Sequence, residues 1–134
     1  MWVGEDLSVN PYAGTSMPVV ANEVTTYQDF VDRSVVGDGL EGHELWQQAN
    51  LNEYGLSDTR LSTPASQQNP VIALPREIHL DINAAQSVID SRSMTPVENI
   101  NFNADMLRQF NAAPPELIDE LQLKALRHAG DYGY

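Results

Sequence analysis

The chain has 134 residues, 19 of them Asp or Glu against 7 Lys or Arg, for a formal net charge of −12. With 42% hydrophobic and 19% charged residues it has the composition of one folded domain, and its acidity (pI near 4.3) opposes phosphate backbones at long range. The absence of cysteine excludes disulfides, thiolate metal sites and a cysteine nucleophile, and no apolar run approaches the roughly 18 residues that span a bilayer.

Taken in chain order, residues 1–24 read as a tether, punctuated by Ser8, Asn10, Pro11, Gly14, Ser16 and Pro18. The first six residues lack the basic start and apolar core of a signal peptide. Residues 25–134 are expected to form a single domain. Thr26 can cap a short helix with Tyr27, Phe30, Val31 and Val35 as its apolar stripe, ended by Gly37-Asp38-Gly39. The pattern of Leu45, Trp46 and Ala49 suggests a second helix over 43–54, closed by Gly55. A polar loop over 57–70 follows, and Val71-Ile72-Ala73-Leu74 is the clearest strand, a compact apolar run between prolines.

Pro75 suits the first turn of the next helix, whose Ile78, Ile82, Ala85 and Ile89 share a face. Thr95-Pro96-Val97-Glu98 is a capping box opening a helix with Val97, Ile100, Ala104, Leu107 and Phe110 on its apolar side. Pro114-Pro115 breaks it and starts a last helix carrying Leu117, Ile118, Leu121 and Ala125, stopped by Gly130. The expected class is α+β, predominantly helical, with one or two short strands.

Three histidines could carry chemistry. His128 falls in the last turn of the C-terminal helix, where an imidazolium favours the dipole. His79 and Asn83 lie one turn apart on the helix after Pro75, off its isoleucine face, where an imidazole and an amide oxygen could hold one divalent cation. Taken alone, they are more simply two polar residues on a solvated helix surface. His43-Glu44 follows Gly42, which permits close approach of a backbone or ligand, and could supply a base and a metal ligand, or a base and its orienting carboxylate; taken alone, the pair simply starts a helix.

In order, Gly42-His43-Glu44, the polar loop, Asn69-Pro-Val-Ile-Ala-Leu-Pro75, His79 and Asn83 resemble the HNH/endonuclease VII superfamily, in particular the nuclease domains of bacterial polymorphic toxins. The resemblance covers about residues 37–90. It implies a small ββα metal-finger core, with additional C-terminal helices outside it. His79 and Asn83 would correspond to metal ligands on the helix, and Asn69 to the asparagine that pins the loop near the base. His43 would be the general base, or else the ligand from the first strand. The family's His-His pair is His43-Glu44 here: if His43 aligns with the first histidine, Glu44 occupies the base position, and if it aligns with the second, Gly42 leaves the strand without a ligand.

The implied activity is metal-dependent hydrolysis of DNA phosphodiester bonds with one divalent ion (Mg, Zn, Mn or Ni). Arg60, Arg76 and Arg92 are the candidate phosphate contacts. The implied setting is interbacterial competition: a larger secretion carrier, action in the target-cell cytoplasm, a cognate immunity protein, and no membrane partner. The alternative is a non-enzymatic acidic interaction module, an immunity protein or DNA mimic, which accounts for the charge directly.

Overall fold

The computed structural model describes residues 10–134, so residues 1–9 of the expected tether lie outside the described residues. Ten elements follow: β1 (Val24–Thr26), α1 (Tyr27–Arg33), β2 (Leu40–Glu44), α2 (Gln48–Glu53), α3 (Pro64–Gln67), β3 (Pro70–Pro75), α4 (Arg76–Gln86), a 3₁₀ turn (Ser91–Ser93), α5 (Pro96–Gln109) and α6 (Pro115–Asp131). The class is α+β, with one three-stranded antiparallel sheet in the order β1-β3-β2.

The central strand is the apolar run that the prolines bound. Period-2 alternation turns Ile72 and Leu74 into the main core, with Ile82 of α4 and the α5 and α6 residues Ile100, Leu107, Ile118 and Leu121. Val71 and Ala73 face the other way, against Val19 and Phe30. Both faces of β3 are therefore covered, which is why it reads as continuous hydrophobicity rather than alternation.

Local signals place several helix ends. Thr26 accepts from the Asp29 N–H and starts α1. The Thr95–Glu98 capping box forms with both of its hydrogen bonds, and Gly55 follows α2 with φ +71°. Four expectations need correction. Residues 43–54 are not one helix: the chain stays extended through Glu44 because β2 pairs with β3, His43 opposite Ile72 and Glu44 opposite Val71. The 57–70 loop contains α3, started by the Thr63 hydroxyl. Two strands become three. Val31, Val35, Val97 and Phe110 are exposed rather than core, since α1 and α5 each bury a narrower stripe than the sequence pattern allows.

Residues 10–23 contain no helix or strand but are tied to the body. The side chain of Arg33, almost wholly buried, pairs with Glu23 and with Asp29 (2.8 Å), and its Nε donates to the Met17 carbonyl at 2.8 Å. Burial would raise the Glu23 carboxyl, but hydrogen bonds from Arg33 and Asn10 outweigh it and hold the group below its ordinary value. Asp29 is likewise held low: burial is overcome by Thr25, the Gly14 N–H and Arg33.

A carboxyl depressed in the folded state stabilises above its unfolded value (4.5 for Glu23, 3.8 for Asp29), and that stability is lost as pH falls through the folded value. Glu23→Gln is therefore expected to cost about 3 kcal/mol at pH 7, because it leaves a buried guanidinium short of a partner. The gap to wild type should narrow in urea denaturation repeated at progressively lower pH below 4.5.

Candidate functional site

β2 and β3 run antiparallel, and α4 starts on the residue after Pro75 and packs against both strands. This order brings His43 of β2 to His79, one turn into α4. Their Nδ1 atoms face each other at 3.4 Å with the rings edge to face. A cavity of about 210 Å³ opens beside them, walled by Gly42–Glu44, Gln47–Ala49, Arg60, His79, Asn83 and Gln86.

His43 is 3% exposed, and its Nε2 is buried without a partner among the described residues. Burial, reinforced by the nearby His79 and Arg60, lowers its pKa to about 3. His79 is half-buried and is also shifted down by burial, which Glu41 opposes and Arg60 assists. Both shifts favour the neutral imidazole, which carries one ring-nitrogen lone pair. The amide Nδ2 of Asn83 lies 3.0 Å from His79 Nε2.

Glu44 is 4% exposed at its side chain. Its Oε2 accepts from Asn69 Nδ2 at 2.7 Å, and its Oε1 lies 3.2 Å from Arg60. Burial pushes its carboxyl up, against the pull of Arg60 and Asn69. Asn69 is fully buried just before β3, and the same Nδ2 donates to the Trp46 carbonyl at 2.8 Å. It ties the carboxylate to the chain that leaves β2. Arg60 reaches in from the loop, its side chain half exposed and its guanidinium 5.4 Å from the Tyr27 ring centroid.

The structure brings together His43, Glu44, Asn69, Arg60, His79 and Asn83. It does not bring Arg76, which sits at the start of α4 beside a separate depression with Val36, Asp38 and Glu41. Arg92 stays at the rim: it donates to Asn52 Oδ1 (3.0 Å) and more weakly to the carbonyl of the wall residue Ala49. Gly42 serves packing: a Cβ there would come within 3.0 Å of the Phe30 ring.

His128 does end α6, but it is buried, with Nε2 at 2.8 Å from the Ala65 carbonyl and its ring against Trp46. Gln47, Gln48 and Gln86 line the cavity and were not anticipated, because no spacing rule marks a glutamine as functional.

His43 and His79 are the side chains that could hold a metal ion between them. The two facing imidazole nitrogens are 3.4 Å apart, a long contact beside the usual hydrogen-bond range of about 2.7–3.2 Å, with donor and acceptor set by the tautomers. Among the described residues no three His, Cys, Asp or Glu side chains converge as a metal-binding group. No helix of the described residues is long and apolar enough to cross a membrane. No family model, curated protein or solved structure matches the chain.

Asn69→Ala should cost about 1–3 kcal/mol in chemical denaturation, since it strips a buried carboxylate and a buried carbonyl of their donor. His79→Ala, at a half-buried helix position outside the core, should leave stability within about 0.5 kcal/mol.

Proposed function

We propose that this chain is a metal-dependent DNA endonuclease domain built on a ββα metal finger formed by β2, β3 and α4. The observation that carries the reading is the pair of imidazoles, His43 and His79, facing each other 3.4 Å apart beside a carboxylate in one cavity. His43 and His79 would hold the ion through Nδ1. When bound, the ion supplies Lewis-acid stabilisation of the developing phosphorane charge and of the leaving oxygen.

The remaining roles follow from the side chains. Asn83 was expected as the second helix ligand, but it abuts the far nitrogen of His79. With its amide turned over, Oδ1 would accept from Nε2–H and leave the Nδ1 lone pair free, the orienting bond that metal-bound histidines usually make. Glu44, its carboxyl raised by burial, takes the proton of the attacking water, and Asn69 holds it in place. That choice puts His43 in the ligand position and Glu44 in the base position of the superfamily. Arg60 neutralises a non-bridging phosphate oxygen at the cavity mouth.

The resemblance, rather than the site, supports the wider proposal of a toxin domain delivered on a larger carrier into a target cell's cytoplasm and restrained by an immunity protein. A net charge of −12 favours a second reading, a non-enzymatic acidic interaction module. Plasmid nicking with added Mg²⁺, Mn²⁺, Zn²⁺ or Ni²⁺, and its abolition by chelator, separates the two.

In the nuclease, His79→Ala weakens metal binding measured by calorimetry. Glu44→Gln retains metal binding and lowers the cleavage rate by about 10²–10⁴-fold, the usual contribution of a general base. Full activity in Glu44→Gln together with an inactive, metal-binding His43→Ala would exchange the two roles. A wild-type chain that cuts neither DNA nor RNA with any of these ions would leave the acidic module.

A further inference from the structure

Behind the cavity, α5 carries two fully buried amides one turn apart, Asn99 and Asn103. Asn99 Oδ1 accepts from the backbone N–H of Gln47 at 2.8 Å, and Asn103 Nδ2 donates to the Leu45 carbonyl at 2.8 Å. Backbone groups have fixed polarity, so neither amide can turn over without losing its bond. The two Nδ2 groups then converge on one acceptor, Gln47 Oε1, at 2.8 and 3.0 Å. Both lone pairs of that oxygen are used.

Gln47 therefore presents its NH₂ with a known polarity. The residue lines the cavity beside His43 and Glu44, and its Nε2 has no hydrogen-bond partner among the described residues. The same network explains why Gln47, at the N-cap of α2, makes no side-chain cap bond. Gln86 has the opposite polarity, because its Nε2 donates to Asn103 Oδ1 at 2.7 Å and leaves its oxygen available.

We propose that Gln47 is a substrate-contacting residue whose Nε2 donates a hydrogen bond to a phosphate oxygen drawn into the cavity, with Asn99 and Asn103 as its positioning residues. This deepens the nuclease reading and takes the identity of the ligand from it. A cavity of about 210 Å³ leaves room for a phosphodiester group. Arg60 supplies the positive charge on the same wall, and a neutral donor adds an anion contact that the acidic chain's few cations cannot.

The test uses the full chain labelled with ¹⁵N, the Gln47 side-chain amide resonance as readout and inorganic phosphate as probe. Gln47→Glu keeps an Oε1 for both asparagines, so its unfolding curve should match wild type while its outward atom becomes an acceptor. Ala49→Glu adds the same charge to the cavity wall and keeps Gln47. Phosphate should shift the wild-type Gln47 amide. Affinity should fall about tenfold or more in Gln47→Glu, as expected for a lost hydrogen bond to a charged group, and less than about threefold in Ala49→Glu.

An unshifted amide in wild type, wild-type affinity in Gln47→Glu, or an equal loss in Ala49→Glu would each overturn the assignment. The first readout holds even if a variant fails to fold. Plasmid cleavage by wild type is scored in parallel. Phosphate bound at Gln47 with DNA uncut would overturn the nuclease reading alone. DNA cut while Gln47→Glu binds phosphate normally would overturn the Gln47 assignment alone.

Discussion

The pairing of β2 with β3 is the constraint on which the site depends. β3 is buried on both faces, so its register can slip in neither direction without turning Ile72 and Leu74 out of the main core. Once β3 is set, His43 must lie opposite Ile72 and Glu44 opposite Val71. α4 leaves directly from Pro75, and Ile82 locks it to the core, which carries His79 back over β2. Two residues 36 positions apart thereby meet through their ring nitrogens.

A second layer of order comes from buried amides. Asn50, Asn69, Asn99 and Asn103 are all inaccessible to solvent. Asn69, Asn99 and Asn103 tie backbone groups between β2 and α2 (the Trp46 carbonyl, the Gln47 N–H and the Leu45 carbonyl) to other parts of the chain, and Asn50 of α2 reaches the Ser91 and Met94 carbonyls. An unmade hydrogen bond in such surroundings costs the full desolvation of the group. These contacts consequently specify one arrangement of the Glu44–Gln48 segment rather than merely adding stability. The neutral amides also orient cavity groups without adding charge to an already acidic protein.

The acidity and the site are reconciled by position. Glu44 is buried and paired with Arg60, while Glu23 and Asp29 are committed to Arg33. Among the described residues Arg60 is the basic side chain on the cavity wall. For the proposed nuclease, long-range repulsion of a polyanion would remain and fall with salt, and short-range recognition would rest on Arg60 and on oriented neutral donors.

How much was legible in advance depends on the range of the interaction that decides each feature. The capping box at Thr95, the Thr26 cap, the glycine after α2 and the proline-bounded apolar strand are local, set within a few residues by hydrogen-bond geometry and steric limits, and the sequence determined them. Histidine spacing likewise indicated His79 with Asn83, and the ordered motifs indicated His43, Glu44 and Asn69 as companions. The helix expected over 43–54 is absent because pairing with β3 overrides local propensity at Leu40–Glu44. Arg76 was indistinguishable from Arg60 by residue type; only the packed structure turns Arg60 toward Glu44 and Tyr27 and leaves Arg76 by another depression. The polarity of Gln47 was unreadable for the same reason, since it is set by two asparagines more than fifty residues away. Local chemistry named the candidate groups, whereas their mutual distances, burial and orientation follow from long-range packing, which no short window of sequence contains.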